Sequence, residues 1–99
     1  KMPTKVFFNE PPEPLVILNY AEDLSSVCVS VSHEDHAAPV ELFSTGCGKD
    51  ITEELQSKEG FSVYMEGCKR INLRYRRFLF RKKWRVMYED VELSGIEVS

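Results

Sequence analysis

The sequence predicts a mainly β fold, an antiparallel β-sandwich of about seven or eight short strands with one short inserted helix. Turn-forming residues recur about every ten residues along the chain. The segments between these turns alternate apolar and polar side chains with the period of two that is typical of half-buried strands. Helical spacing with a capping signal is confined to one short segment, and no strand-helix alternation indicates a parallel sheet.

Composition limits the chain to one folded domain, residues 1–99. The 99 residues are 42% apolar and 29% charged, with a formal net charge of −3, which excludes a disordered chain and favours a single hydrophobic core. A lysine precedes Met2, so we expect an excerpt from a longer protein. No apolar run approaches the roughly 18 residues of a membrane span, and no signal peptide is recognisable. We therefore expect a soluble cytoplasmic or nuclear protein.

The first strand is expected at residues 5–9, which end at a proline cluster within residues 11–14. Proline cannot donate a ladder hydrogen bond, so this short apolar segment is predicted to be an edge strand. An edge strand without a partner favours a homodimer paired through Val6 and Phe8, or the addition of a strand from another protein.

Three further strands are expected before the helix. Residues 15–20 are apolar on both sides, as in a strand buried on two faces or packed beneath another element. Residues 25–32 alternate most clearly, with Cys28 pointing away from a buried row of Val27, Val29 and Val31. A shorter strand is expected over residues 40–43.

The helix is expected to begin at Asp50, a favourable N-cap with Glu53 three residues later, and to end near Gly60. A half-buried strand with an apolar row at Phe61, Val63 and Met65 follows it. The chain closes with one or two strands over residues 91–98, which we expect to be broken at Ser94 and Gly95.

Residues 69–85, KRINLRYRRFLFRKKWR, depart most from an average domain. They hold nine of the thirteen basic residues and no acidic one, whereas the rest of the chain holds four basic and sixteen acidic residues. Alternation predicts a β-hairpin with a bulge at Arg76 and Arg77, where the apolar phase shifts, and a turn at residues 81–83. The buried rows would be Ile71, Leu73 and Tyr75 on one strand and Trp84, Val86 and Tyr88 on the other. A helix over residues 69–85 is the alternative, because the apolar residues also fit helical spacing.

Two patterns resemble known families at the level of architecture. The spacing of Cys28 and Cys68 resembles the inter-sheet disulfide of immunoglobulin domains, but the outward position of Cys28 and the lack of a Tyr-x-Cys before Cys68 favour free thiols. Cys47 makes the number of cysteines odd, which indicates a reducing compartment. A sandwich with cationic strands is similar to the lipid-binding face of C2 domains, although paired aspartate loops are missing. Immunoglobulin-like, C2-like and jelly-roll-like arrangements all remain open.

No segment predicts catalysis, a cofactor or a metal. The loop His33-Glu34-Asp35-His36 offers four possible ligands, but no other segment completes a metal site, so a solvated loop is favoured. Residues 45–50, TGCGKD, lack the first glycine of a phosphate-binding loop, and Asp50 would repel a phosphate. Cys47 with a histidine has no orienting third group. We therefore expect a protein that is not an enzyme.

The basic segment instead predicts binding. Arginine and aromatic residues dominate protein interfaces, so we expect a non-catalytic interaction module that binds an acidic protein partner. Nucleic acid or anionic phospholipid is the alternative ligand, although the pI of about 5.4 weighs against nucleic acid. A purely structural domain, with its arginines neutralised by its own acids, is a further alternative. The candidate contact residues are Arg74, Tyr75, Arg76, Arg77, Phe80, Arg81, Lys82, Lys83 and Trp84.

Overall fold

A computed structural model describes residues 2–10, 14–33, 38–46 and 48–98. In these ranges the chain forms nine strands, one α-helix and one 3₁₀ turn, and the strands make two antiparallel sheets. The predicted mainly β fold class is therefore confirmed, with the two-sheet composition of a small β-sandwich. The elements are β1 (Thr4–Phe8), β2 (Leu15–Tyr20), β3 (Val27–Ser32), β4 (Val40–Ser44), α1 (Thr52–Gln56), β5 (Phe61–Tyr64), the 3₁₀ turn (Glu66–Cys68), β6 (Arg70–Phe78), β7 (Arg81–Tyr88), β8 (Val91–Glu92) and β9 (Ser94–Glu97).

The chain divides into two compact units. The first consists of Lys1–Asp50 and Ser94–Ser99, and the second of Ile51–Leu93. Each unit contains one sheet, in the order β4-β3-β2-β1-β9 for the first and β5-β6-β7-β8 for the second. Among the described residues, no helix is both long and apolar enough to span a membrane.

β1 is not an edge strand, so that prediction was wrong. Val6 pairs with Ile17 of β2 on one side and with Ile96 of β9 on the other. Prolines in a sequence indicate where a strand stops but carry no information about which strands pair with it. β9, which lies far from β1 in the sequence, pairs with the side that was expected to be open. A homodimer paired through Val6 and Phe8 therefore has no free β1 edge to use.

The core of the first unit follows the predicted alternation. Val27, Val29 and Val31 of β3 are buried and Cys28 is half-buried on the opposite face. In β2, Val16, Leu18 and Tyr20 are buried while Leu15 is exposed, so one face of this strand is fully buried. Apolar burial at roughly 25 cal/mol per Å² is the main stabilising term for such rows.

The second unit is built on the β6–β7 hairpin. Its register is uninterrupted from Ile71 opposite Tyr88 to Phe78 opposite Arg81. The predicted strands are confirmed, and so are their buried rows except for Tyr88, which is half-buried. The bulge at Arg76 and Arg77, the turn at residues 81–83 and the alternative helix over residues 69–85 were wrong. Leu79 and Phe80 form the turn, and the apparent phase shift arises because the hairpin extends past the buried part of the sheet.

The helix α1 is shorter than predicted and begins differently. Ile51, and not Asp50, occupies the N-cap position, and the Ile51 side chain makes no capping hydrogen bond. Ile51 and Leu55 are both fully buried, so apolar anchoring rather than capping positions this turn. After Gln56 the chain leaves the helix, and the hydroxyl of Ser57 donates to the carbonyl oxygen of Glu54 at 2.7 Å.

The last strands break one residue earlier than predicted. The buried Leu93 lies between β8 and β9, and Ser94 and Gly95 belong to β9. Gly95 faces the ring of Phe7, and a Cβ atom there would overlap that ring. Glycine at this position therefore allows β9 to approach β1.

Candidate functional site

Two of the three aromatic residues in the predicted contact set, Tyr75 and Trp84, lie on the buried face of the hairpin. Tyr75 and Trp84 are directly opposite each other in the register, and their rings meet edge to face with centroids 4.9 Å apart. Tyr75 is 5% and Trp84 4% exposed, so neither presents a surface for a partner. Their role is to support the hairpin from its buried face, a position that their alternation with the arginines already indicated.

The opposite face of the hairpin carries cations in directly opposed pairs. Arg74 lies opposite Arg85, and Arg76 lies opposite Lys83. These four residues share one face because paired and alternate positions in a sheet point to the same side, and we call them the cationic face. Like charges directly opposite each other destabilise a sheet, so the arrangement is unfavourable for folding.

Three further cations extend this charge toward the turn. Arg77 lies opposite Lys82, on the other side of the hairpin, and both are exposed. Arg81 begins β7 and is also exposed. The outer half of the hairpin therefore holds three cross-strand pairs of like charge, interrupted once by the pair of Tyr75 and Trp84.

The acids of the second unit neutralise this charge only in part. Ile51–Leu93 holds ten basic and seven acidic residues, a formal balance of +3. Arg85 Nε donates to Glu92 Oε1 at 3.2 Å. With the residues that the structure describes, the other three residues of the cationic face form no ion pair, and neither do Arg77 and Arg81.

Arg74 contains an unusual buried group. Its Nε atom is buried and has no hydrogen-bond partner among the described residues. The neighbouring Asn72 on the same face is also buried, but its amide donates to the Glu59 carbonyl oxygen at 2.9 Å and to Ser62 Oγ at 3.0 Å. On this face, the buried amide of Asn72 thus has hydrogen-bond partners, whereas the buried Nε of Arg74 has none among the described residues.

Gly60 holds the chain close to Arg74. Its φ of +73° lies in the left-handed region, and an added Cβ atom would lie 2.5 Å from Arg74 Cγ and 2.6 Å from the carbonyl oxygen of Leu73. Glycine is required by both the backbone conformation and this contact. The aliphatic part of Arg74 is therefore packed, which restricts its guanidinium group.

Adjoining clefts run across the cationic hairpin. A cleft of about 360 Å³ is lined by the cationic face and Glu92. It shares Arg76 and Lys83 with a larger cleft of about 780 Å³, whose full lining is Gln56, Lys58, Tyr75, Arg76, Arg77, Arg81 and Lys83. No acidic residue lines the larger cleft, and in the smaller one four cations face the single acid Glu92, so both are suited to anionic groups.

The hairpin turn is apolar and exposed. Leu79 is 78% exposed and Phe80 is fully exposed, and we call these two residues the hairpin tip. Leu79 has a φ of 55°, a left-handed conformation that costs an L-residue about 1–2 kcal/mol. Of the predicted aromatic contacts, Phe80 is the one whose side chain lies on the surface. Leu79 was absent from the predicted set because the turn was expected three residues later.

The other chemical candidates give no site within the described residues. Most of the His33–His36 loop, and Cys47, lie outside those residues, and no group of three or more metal-ligating side chains occurs within them. Cys28 and Cys68 are free, so the immunoglobulin-like disulfide is not formed. Burial raises the pKa of the Cys28 thiol, and its hydrogen bond to Glu41 and the charge of Glu41 raise the pKa further. A raised pKa reduces the thiolate fraction that a nucleophile needs.

Comparison with known proteins adds no relative to this description. The chain matches no protein-family model, no curated protein and no solved structure.

Proposed function

We propose that this domain is a non-catalytic interaction module that binds an acidic protein partner through the β6–β7 hairpin. The observation that carries the proposal is the row of opposed cations, most of which have no acidic partner among the described residues. A purely structural role would favour arginines neutralised within the fold. Here the paired cations destabilise the sheet. An anionic partner that binds them would neutralise this repulsion, which explains why the hairpin carries them.

The aromatic residues favour protein over nucleic acid. Binding of single strands relies on bases stacked on exposed aromatic rings, and Tyr75 and Trp84 are buried. Phe80 alone among the predicted aromatic contacts is on the surface. The chain also carries a net charge of −3, which opposes the approach of a polyanion.

An anionic phospholipid surface is the second candidate, because the hairpin tip is apolar and follows directly after cations. Exposed apolar side chains can enter the interfacial region of a membrane, while nearby basic residues each contribute about 1 kcal/mol of attraction to anionic lipid. Leu79 and Phe80 have the exposure that this mode requires. Vesicle binding therefore belongs in the test of the proposal.

Reversal of three exposed charges tests the proposed function. In a variant with Arg81→Glu, Lys82→Glu and Lys83→Glu, we expect affinity for a fluorescein-labelled peptide rich in glutamate and containing one tryptophan to fall by about tenfold or more. The thermal midpoint should not fall, since all three side chains are exposed and two pairs of like charge become pairs of opposite charge. Lys83→Glu alone is compared with Lys69→Glu, which makes the same change of charge at an exposed position outside the contact set. Equal affinity of the triple variant and the unchanged protein would contradict the proposal.

Parallel titrations separate the possible partners. A labelled single strand, a duplex and phosphatidylserine vesicles are titrated at low and near-physiological salt. A complex with nucleic acid should lose about 0.7–0.9 decades of affinity per decade of salt for each phosphate neutralised. At near-physiological salt, we expect the peptide to bind more tightly than the oligonucleotides or the vesicles. Tighter binding of an oligonucleotide or of the vesicles there would replace the protein partner by that ligand.

A further inference from the structure

The cationic face concentrates its charge in a small area. Opposed Cα atoms in an antiparallel sheet are about 5.5 Å apart when the pair is hydrogen-bonded, and alternate residues of a strand are about 7 Å apart. The backbone N–H of Glu89 donates to the carbonyl oxygen of Arg70 at 2.9 Å. Residues of the same parity on β6, including Arg74 and Arg76, therefore also direct their backbone groups toward β7. Four cations thus project from a patch of about 5.5 by 7 Å.

One acid lines the cleft formed by these four cations, whereas Glu59, Glu89 and Asp90 line an adjoining cleft that also contacts Arg74 and Arg85. The acid in the first cleft is Glu92, which pairs with Arg85 and leaves a balance of +3 among the residues that line this cleft of about 360 Å³. The cleft is roughly ten times larger than the 30 Å³ that one water occupies in the liquid, so a tetrahedral oxyanion fits with its hydration. A single carboxylate would neutralise one of the three excess charges, whereas a phosphate monoester neutralises up to two with three acceptor oxygens.

The donors at this cleft are partly oriented before any ligand arrives. Gly60 packs against the stem of Arg74, and the ion pair with Glu92 holds Arg85 Nε. Arg74 Nε is buried without a hydrogen-bond acceptor among the described residues, and an unsatisfied buried donor is costly. Arg74 also lines the cleft, where an anion can accept from its terminal N–H groups, and arginine binds phosphate oxygens through two parallel donors.

We infer that the cationic face is a binding site for one phosphate group, carried on a phosphorylated side chain of the acidic protein partner. Arg74 donates its fork of N–H groups, Lys83 and Arg76 supply charge, and Arg85 donates the guanidinium hydrogens that Glu92 leaves free. The inference rests on the proposed function and makes it more specific, because it requires a compact dianion in addition to dispersed carboxylates.

Three matched peptides test the inference. They share one acidic sequence and carry phosphoserine, glutamate or serine at the central position. We expect the phosphoserine peptide to bind about ten- to a hundredfold more tightly than the glutamate peptide, from one or two additional charge-assisted hydrogen bonds. Arg74→Lys keeps the charge but removes Nε and the fork, and should reduce this preference to below about threefold while affinity for the glutamate peptide changes little. Arg70→Lys, an exposed position outside the contact set and outside this cleft, should keep the full preference.

The outcomes separate the inference from the proposed function. Equal binding of the phosphoserine and glutamate peptides would overturn the phosphate site and leave the acidic protein partner in place. Failure of all three peptides to bind would overturn both.

The same titration with inorganic phosphate and with vesicles carrying a phosphomonoester lipid identifies the source of the phosphate group. Vesicles that bind more tightly than the phosphoserine peptide would overturn the assignment of the phosphate to a protein partner. Should Arg74→Lys fail to fold, chemical shift changes at the Arg74 and Arg85 side chains on adding the phosphoserine peptide provide the check, and their absence would overturn the site.

Discussion

Thr45 follows β4 and forms two hydrogen bonds with Val27, the first residue of β3. The backbone N–H of Val27 donates to Thr45 Oγ1 at 2.9 Å, and the N–H of Thr45 donates to the carbonyl oxygen of Val27 at 3.0 Å. Both residues are buried. The hydroxyl is therefore the acceptor for a backbone donor that water does not reach.

Thr45→Val should destabilise the protein by about 1–3 kcal/mol, because the isosteric side chain leaves the Val27 N–H without its acceptor. Thr45→Ser is the control, since it keeps the oxygen and loses one methyl group, at a cost of about 1 kcal/mol. Urea denaturation of both variants measures the difference. A valine variant as stable as the serine variant would show that the side-chain hydrogen bond contributes little.

Single residues differ in how far the sequence predicts them. The buried row of β3 and the buried positions of Tyr75 and Trp84 follow from alternation alone, because period-two patterning is local. Thr45 was not predictable in this way. Its partner Val27 is 18 residues away, and nothing within a glycine-rich turn indicates which distant backbone group a hydroxyl will meet.

The hairpin tip combines an unfavourable backbone conformation with an exposed apolar side chain. Leu24 also has a positive φ but is buried, so packing offsets its strain. Leu79 has no such compensation, since it is 78% exposed. Strain that packing does not explain is often retained for binding, which agrees with a role of the tip at an interface.

Leu79→Gly should stabilise the isolated domain by about 0.5–1 kcal/mol, because glycine adopts a φ of 55° without the Cβ penalty and little buried area is lost. Leu79→Ala is the matched control. It removes the apolar side chain but keeps Cβ, so its stability should not rise. Thermal unfolding of the two variants separates backbone strain from apolar exposure, and an equal gain for alanine would assign the effect to exposure.

Elements were predictable where the pattern was local and uninterrupted. The strands of the hairpin followed from alternation, but its turn was misplaced because Arg81-Lys82-Lys83 is a polar run and Leu79-Phe80 is apolar, the reverse of usual turn chemistry. The helix start was misplaced for the opposite reason. Asp50 and Glu53 form a capping signal, but burial of Ile51 and Leu55 determines the helix position. Tertiary packing thus overrode local preference in the helix.

The order of strands in the first sheet is a property of the whole chain that no local pattern contains. β1 and β9 are neighbours although they lie near opposite ends of the sequence. Proline placement predicted where β1 stops and wrongly suggested that one of its sides was open. The candidate site was likewise predictable only in part. Local charge located the cationic hairpin, but the face, the cleft and the buried Arg74 Nε depend on register.

Proline substitutions in β9 test this strand order. The N–H of Val98 donates to the carbonyl oxygen of Thr4 at 2.9 Å, so residues of the same parity, including Ile96, direct their N–H groups toward β1, whereas Glu97 directs its N–H toward the open edge. Ile96→Pro should therefore cost about 1–3 kcal/mol by removing a ladder bond to Val6. Glu97→Pro should cost less than about 1 kcal/mol, since an edge strand tolerates proline when the lost donor faces outward. Urea denaturation measures both, and equal losses would mean that the β1–β9 register differs from the one described. Ile96→Pro should also raise self-association in sedimentation experiments, because loosening β9 exposes the edge of β1 for pairing between copies of the chain.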